Sequence, residues 1–291
     1  MIRLNEVTKI FDKDLFKKKQ IVLDKMSYGI KENSITGFLG ANGAGKTTSI
    51  KIILDFIRPN SGSVDFQKPL GTNLREAILN IGLLPERPYF YANITAREFL
   101  NYLGRLSLMS NNDVKCRIED LAAKLCIGFA LDRKIKFFSK GMLQRLGFVS
   151  AILHRPKLVI LDEPAAGLDP LGRREMKDHI IDLKSEGITV FFSTHIVSDV
   201  EDICDRVVFI KNGICEYDGE LINLLEEKSQ KKMILKYSAG GIKASLEVDT
   251  DHLNEKLSDL MRNHNVKIES INPMFKTLED AIYTNDLIVK D

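Results

Sequence analysis

The chain has 291 residues, of which 44% are apolar, and its formal net charge is +2. This length suits one large domain with an appendage, or two domains, with enough apolar residues for a sizeable core. The small net charge argues against an overall field built for nucleic acid. Four cysteines without a C-x-x-C pair predict reduced thiols in a cytosolic protein. The apolar runs are far shorter than the roughly 18 residues of a membrane span, so we expect any membrane crossing to be made by another chain.

The first part of the chain predicts strands followed by a glycine-rich turn. Residues 2–10 and 21–28 alternate apolar and polar side chains, as antiparallel strands with one buried face do. Residues 12–20 between them are predicted to form a loop. Residues 35–39 are mostly apolar and predict a buried strand, and residues 48–56 have the spacing of a helix.

Strands and helices then alternate up to about residue 220. We predict strands at 63–66, 81–84, 158–161 and 190–193, and helices at 95–108, 112–125, 139–153, 171–186 and 198–202, with Asn93 or Asn112 as caps. Asn212-Gly213 predicts a hairpin of strands 207–211 and 214–218. The alternation predicts a parallel α/β core. The opening strands and the hairpin predict an added antiparallel layer.

The chain changes character after residue 220. A connecting helix is predicted at 221–232, strands at 233–237, 245–248 and 266–271, and helices at 251–263 and 277–284. These elements predict a small α/β appendage that is too small for a robust core of its own.

Residues 40–47 read Gly-Ala-Asn-Gly-Ala-Gly-Lys-Thr, the phosphate-binding pattern G-x-x-x-x-G-K-T. A strand before it and a helix after it create an anion site at the helix N-terminus. The glycines let backbone N–H groups turn towards phosphate oxygens. Lys46 supplies a charge and Thr47 a hydroxyl for Mg²⁺. The alternative is a chance glycine turn, which the strand-to-helix context disfavours.

A second acidic site follows the buried strand 158–161. Asp162, at the strand's carboxyl end, is placed to reach Mg²⁺ directly or through water. Glu163 follows it and is a candidate to orient and deprotonate the attacking water. The alternative is a strand that ends in a surface acidic pair. With the phosphate-binding loop upstream, we favour the functional interpretation.

Two further features narrow the class of protein. Ser139 and Gly141 lie at the N-terminus of the predicted helix 139–153, where a hydroxyl and an N–H would form a second phosphate-binding end. His195 follows strand 190–193 at its carboxyl end, where α/β sheets place ligands. A lone histidine is more often structural, so its position in the fold carries the interpretation.

Together, these motifs resemble the ATP-binding cassette family, the ATPase subunits of ABC transporters, over about residues 1–220. Residues 40–47 are similar to Walker A, 138–142 to the signature loop, 158–163 to Walker B and 166–169 to the D-loop, with a helical subdomain at about 87–157. His195 matches the switch histidine. Residues 221–291, with the run 277–281, resemble the linker helix and tail of exporters of the drug, antibiotic and gliding-motility type.

The resemblance implies ATP and Mg²⁺ as bound groups and assigns a role to each matching residue. It places the nucleotide at Phe11, Gly40, Asn42, Gly43, Ala44, Gly45, Lys46, Thr47 and Thr48, with Ser139, Gly141 and Asp169 acting from the opposite chain. The metal would be held by Thr47, Glu86 and Asp162, and the catalytic residues would be Glu163, His195 and Glu86.

The resemblance also implies partners. A second copy, or a homologous ATPase subunit, would pair head to tail with this chain, and a membrane permease would bind on the cytoplasmic face. The permease would dock near residues 86–97, where Tyr89, Phe90 and Tyr91 form either an aromatic surface or a cap on the core. No nucleic-acid partner is expected.

Two departures from the family pattern affect the site. Glu86 stands where the family has glutamine, and it adds a negative charge near Asp162 and Glu163. Lys140 and Met142 replace glycine and glutamine of the signature, whereas Ser139 and Gly141 remain, so we expect both phosphate sites to be competent.

Rival classes fit less well. DNA-repair and chromosome-structure cassettes separate the Walker motifs by long coiled coils, whereas about 115 residues without heptads intervene here. Translation-factor relatives carry two cassettes in one chain. A GTPase would need an Asn-Lys-x-Asp motif, which this sequence lacks.

Overall fold

The computed structural model describes residues 1–12, 19–228, 232–239, 242–262, 266–273 and 278. The chain divides into two compact units, Met1–Gly219 and Glu220–Asp291. Through the end of the first unit, the elements are β1 (Ile2–Asp12), β2 (Lys19–Ile30), β3 (Ile35–Leu39), α1 (Lys46–Ile53), β4 (Ser61–Phe66), α2 (Leu74–Ile78), β5 (Ile81–Leu84), α3 (Ala96–Leu106), α4 (Asn111–Lys124), α5 (Lys140–Ile152), β6 (Leu158–Asp162), α6 (Pro170–Ser185), β7 (Thr189–Thr194), α7 (Val197–Ile203), β8 (Arg206–Lys211) and β9 (Ile214–Glu220).

A six-stranded sheet, in the order β5-β6-β7-β3-β8-β9, forms the core of the first unit. The ladders joining β5, β6, β7, β3 and β8 are all parallel. Every residue of β3, β6 and β7 is buried, as expected for parallel strands covered on both faces. The carboxyl ends of β3, β6 and β7 therefore meet at one edge of the sheet, and the predicted motifs follow directly at that edge.

The antiparallel layer is a separate three-stranded sheet in the order β2-β1-β4. The prediction that the hairpin strands at 207–218 belong to this layer is wrong, because β8 and β9 extend the core sheet instead. β8 runs parallel to β3, and its Val207, Val208 and Ile210 are buried. The hairpin pattern predicted the two strands correctly, but it carries no information about which sheet they join.

Helices α3, α4 and α5 pack around an apolar cluster that includes Phe99, Leu100 and Ile118. The predicted asparagine caps are wrong. Thr95 caps α3 in a reciprocal capping box with Glu98, and Ser110 caps α4. The short helix α2 was not predicted, because five residues give too little periodicity to detect.

The second unit contains α8 (Leu221–Lys228), β10 (Lys232–Ala239), β11 (Ile242–Asp249), α9 (Leu253–Met261) and β12 (Val266–Pro273). Its strands form an antiparallel sheet in the order β11-β10-β12. The connecting helix is shorter than predicted, since residue 232 begins a strand. Apart from residue 278, the predicted closing helix at 277–284 lies outside the described residues.

Candidate functional site

The loop between β3 and α1 encloses a buried lysine. Gly43 and Gly45 adopt φ angles of +83° and +108°, which favour glycine. A Cβ at Gly45 would lie 2.6 Å from the Leu23 side chain, whereas one at Gly43 would meet no atom within 4 Å. Lys46 Nζ donates to the carbonyl oxygens of Gly40, at 2.6 Å, and Ala41, at 3.3 Å. The loop is therefore folded around an ammonium group, with open space over Gly43 for a ligand.

Each oxygen of the Asp162 carboxylate accepts a hydrogen bond from a hydroxyl group. Thr47 Oγ1 donates to Asp162 Oδ2 at 2.9 Å, and Ser193 Oγ donates to Asp162 Oδ1 at 2.6 Å. Thr47 comes from α1 and Asp162 from the end of β6, so the structure brings the end of the 40–47 loop and the acidic motif at 162–163 together. Asp162 is only 3% exposed. A hydroxyl beside a carboxylate is a donor set that suits Mg²⁺.

The same donor set limits the kind of metal site that these residues could form. Among the described residues, no group of three or more His, Cys, Asp or Glu side chains could hold a metal ion. Mg²⁺ is commonly bound through one or two protein ligands, with phosphate oxygens and water completing its shell. Thr47 and Asp162 fit that arrangement and do not form an all-protein cage.

Glu163 bridges the loop lysine and the histidine. Its Oε1 lies 3.2 Å from Lys46 Nζ, and its Oε2 lies 2.9 Å from His195 Nδ1. The residue has a φ of 51°, in the left-handed region, and its N–H donates to Ser193 Oγ at 2.9 Å. The carboxylate is thus held on one side by a cation and on the other by an imidazole, at the edge where β3, β6 and β7 end.

An open cleft lies over these groups. Of the predicted residues, its lining includes Asn42, Gly43, Gly45, Lys46, Thr47, Thr48, Glu86, Glu163 and His195, together with Gln20, Val22 and Ala166. Glu86 lies just after β5 and its side chain is half exposed. Its Oε1 lies 3.7 Å from Arg87 Nε. The structure therefore brings the glutamate at the glutamine position of the family to the cleft that holds Lys46 and Glu163.

Other predicted residues sit beside the cleft. A Cβ at Gly40 would lie 2.7 Å from the Ile210 carbonyl oxygen, so Gly40 allows the loop to pass close to β8. Ala44 is buried. Phe11 pairs across β1 and β2 with Gln20, which lines the cleft, and Lys9 Nζ lies 5.0 Å from the Phe11 ring centroid. The predicted loop at 12–20 lies mainly outside the described residues.

Ser139, Gly141 and Asp169 lie elsewhere on the described part of the chain and do not line this cleft. Ser139 caps α5, where its Oγ accepts from Met142 N at 3.3 Å, and Asp169 caps α6. Gly141 and Asp169 line a different depression. Within one chain, the two predicted phosphate-binding helix ends therefore do not meet over one ligand site.

The sequence left open the direction of the Lys140 side chain, and the structure shows it. A Cβ at Gly167 would lie 1.8 Å from Lys140 Nζ, so the lysine lies over the backbone of the 166–169 loop. The Lys140 ammonium group therefore lies against the 166–169 loop of its own chain.

Sequence reasoning missed two residues that shape the site. Ser193 bonds both Asp162 and the Glu163 N–H, and Gln144 Nε2 donates to the Pro164 carbonyl oxygen at 2.6 Å. Ser193 stood in the Ser-Thr-His run that includes His195, which is the signal that could have identified it. Gln144 lies on α5, and its sequence position gives no sign that it reaches the loop after Glu163.

The sequence left open whether the aromatic run 89–91 forms a surface or covers the core, and its three rings divide between the two. The Phe90 ring packs on Phe99, with centroids 5.2 Å apart, and so covers the helical core. Tyr89 and Tyr91 are 85% and 55% exposed.

In the described part of the chain, no helix has both the length and the apolar character that crossing a membrane requires.

Comparisons with known proteins agree with this geometry. The family model described as ABC transporter matches residues 23–166. An uncharacterized ABC transporter ATP-binding protein of Synechocystis is 35% identical over 292 residues, which cover 94% of this chain and 81% of the relative. The bacitracin transport ATP-binding protein BcrA of Bacillus licheniformis is 37% identical, with 81% of this chain and 73% of BcrA covered.

Solved structures have the same fold. An ATP-binding subunit of an ABC transporter superposes with a TM-score of 0.69 at 27% identity, over 78% of this chain and 92% of that one. The dimeric ATP-binding cassette MJ0796, bound to ADP and Pi, gives a TM-score of 0.66 at 22% identity, over 76% and 99%, and supports the fold alone. With residues 40–47, Asp162, Glu163 and His195 assembled at one sheet edge and with these relatives, this chain belongs to the ATP-binding proteins of ABC transporters and is an ATPase of the ABC type.

Proposed function

We propose that this chain binds Mg²⁺ and ATP in the open cleft over residues 40–47, the P-loop cleft, and hydrolyses ATP to drive a separate membrane permease. The observation that carries the proposal is the position of the Glu163 carboxylate between Lys46 Nζ and His195 Nδ1, at 3.2 and 2.9 Å. Such a carboxylate is suited to orient a water molecule beside a phosphate that the lysine binds.

The residues around the cleft have separate roles in this proposal. Lys46 exchanges its contacts with the Gly40 and Ala41 carbonyl oxygens for phosphate oxygens. Thr47 and Asp162 hold Mg²⁺, with Glu86 at the open side of the cleft. When bound, the metal neutralises charge that develops on the phosphate oxygens.

Further residues bind the nucleotide and complete the chemistry. Phe11 stacks on the adenine. The loop residues Gly40, Asn42, Gly43, Ala44, Gly45 and Thr48 surround the phosphates. Glu163 accepts a proton from the attacking water, and His195 keeps the Glu163 carboxylate oriented towards that water.

We propose that two cassettes pair head to tail, the second being another copy of this chain or a homologous ATPase subunit. Ser139, Gly141 and Asp169 would then bind the nucleotide held by the opposite chain. The separation of these residues from the P-loop cleft of their own chain supports this arrangement. Closure on ATP and reopening after hydrolysis would move the permease between two states.

The partner and the direction of transport complete the proposal. The exposed rings of Tyr89 and Tyr91 offer a docking surface for the permease on the cytoplasmic face of the membrane. Export is favoured by the resemblance of the tail to the exporter type and by a relative that is named for bacitracin transport. We propose residues 1–220 as the cassette, with its helical subdomain at about 87–157, and residues 221–291 as an accessory domain, with no nucleic-acid partner.

The test is to purify the chain from its native host with its bound partners and to measure ATP hydrolysis. We expect a membrane protein to co-purify, and hydrolysis to require Mg²⁺. Lys46→Ala should abolish both ATP binding and hydrolysis, whereas Lys51→Ala, on the same helix, should retain them. Hydrolysis by the Lys46→Ala complex at the wild-type rate would contradict the proposal.

A further inference from the structure

Lys177 forms ion pairs between helices α6 and α7, which follow β6 and β7 in the chain after the sheet edge that carries Glu163 and His195. It lies on α6, and its Nζ lies 2.5 Å from Asp202 Oδ2 and 3.5 Å from Asp199 Oδ1, both on α7. Asp199 is only 4% exposed, and its Oδ1 has no hydrogen-bond partner in the described part of the chain. Lys177 is therefore the cation that compensates a buried carboxylate on α7.

Helix α7 is closely tied to the position of His195. His195 is the single residue between the end of β7 and Ile196, the N-cap of α7. The Ile196 N–H donates to Thr194 Oγ1 at 3.0 Å, so the turn around His195 is short and restrained. The helix itself has only seven residues. A shift of α7 is therefore transmitted directly to the imidazole that contacts Glu163.

The surfaces of α6 and α7 that face each other do not close completely. A cavity of about 140 Å³ lies there, lined by residues 163–167, by Met176 and Lys177 of α6, and by His195 and Asp199. The ion pairs of Lys177 run from one wall of this cavity to the other and so link α6 to α7 across it.

We propose that Lys177 is a positioning residue, which holds α7 so that His195 keeps the Glu163 carboxylate in its catalytic orientation. Without Lys177, Asp199 would be a buried, uncompensated charge, which is strongly unfavourable. The helix would then move to expose the carboxylate to water, and His195 would move with it. This inference rests on the proposed roles of Glu163 and His195.

The test compares steady-state ATP hydrolysis by the full chain in its native complex. Lys177→Met keeps most of the side-chain length and removes the charge. We expect kcat to fall roughly 10- to 100-fold, because misplacing a catalytic group by about 1 Å can cost about 10²-fold. KM for ATP should stay unchanged, since the P-loop is untouched. Lys177→Arg should restore most of the activity, because it retains a cation for both aspartates.

A matched control separates this role from general stability. Lys184 lies on the same helix, and its Nζ forms a 2.6 Å ion pair with Asp205, which in turn binds the Ile35 N–H at the other end of β3. Lys184→Met should leave kcat unchanged. Should Lys177→Met fail to fold, Asp202→Asn removes the exposed partner alone, and a smaller loss of kcat is expected.

A double-mutant cycle gives the decisive result. In a His195→Ala background, Lys177→Met should cause no further loss, because the residue through which it acts is absent. An equal loss in both backgrounds, or wild-type kcat in the single variant, would overturn the inference. If Glu163→Gln hydrolyses ATP normally, the proposed function fails. If only the Lys177 variants behave normally, the inference alone fails.

Discussion

His195 Nδ1 lies 2.9 Å from Glu163 Oε2, although the two residues are 32 positions apart in the chain. The contact exists because β6 and β7 are parallel neighbours that end at the same edge of the sheet. The second oxygen of the same carboxylate faces Lys46, so the segments that follow β3, β6 and β7 supply Lys46, Glu163 and His195 to one site. Glu163 is thus placed by the sheet and not by its local sequence.

Ser193 gives the first prediction. Ser193→Ala removes a donor to Asp162 and an acceptor for the Glu163 N–H. A buried group left without its partner costs about 1–3 kcal/mol, so we expect a loss of that order in the free energy of unfolding measured with urea. The rate of ATP hydrolysis should also fall, and a higher Mg²⁺ concentration should be needed to reach half of the maximal rate. Ser185→Ala, which removes an exposed helix-end hydrogen bond, is the control and should change little. Unchanged stability and Mg²⁺ dependence would exclude this role for Ser193.

The local parts of the site were predictable, whereas their partners were not. Residues 40–47 and the pair Asp162 and Glu163 were recognised because each motif is contiguous and is flanked by the elements it requires. Ser193 was missed because its contact with Asp162 depends on the register of β6 against β7. Register is a long-range property, and short buried strands carry little pattern that specifies it.

Ser139 tests the proposed dimer. Ser139→Arg should leave ATP binding by one chain intact and abolish ATP-driven dimerisation, because a bulky cation would occupy the interface. The substitution also removes a helix cap, which costs about 1 kcal/mol. Ser110→Arg removes the equivalent cap of α4 and is the matched control. Size-exclusion chromatography with light scattering in the presence of ATP measures the outcome, and a Ser139→Arg chain that still dimerises would refute the action across chains.

The pH dependence of stability gives a third prediction. Burial lowers the pKa of His154, and a contact between its Nε2 and the Ile81 carbonyl oxygen opposes this only in part. The unfolded chain therefore binds more protons than the folded chain at pH values between the lowered pKa of folded His154 and the ordinary histidine pKa of about 6.5. Stability should be full above that pH and should decline as the pH falls below it.

The His154 contribution can be isolated by thermal unfolding at several pH values. His154→Gln retains a side-chain donor but cannot titrate, so Tm should decline less steeply below pH 6.5, the ordinary histidine pKa. Burial also lowers the pKa of His179, so part of the decline should remain. An identical slope in His154→Gln and the wild type would contradict the prediction.

Other differences between prediction and structure also have physical causes. Asn93 and Asn112 are good caps by type, but Thr95 forms a reciprocal pair with Glu98 that supplies two hydrogen bonds. Lys140 could have pointed either way from its helix N-terminus, and only the position of Gly167 shows where it lies. The capping box is a local pattern that the sequence contains, whereas the direction of the Lys140 side chain depends on a tertiary neighbour that the local sequence does not specify.

The most direct test of the account is the fate of ATP in the Glu163→Gln chain, studied in its native complex. Glutamine keeps the size of the side chain but cannot accept a proton from water, so hydrolysis should slow by roughly 10²–10⁴-fold while ATP binding is retained. The bound nucleotide, measured by quantifying ATP and ADP after rapid gel filtration, should be intact ATP in a chain that stays dimeric. Wild-type turnover, with ADP as the bound species, would remove Glu163 from the role of catalytic base and contradict the mechanism.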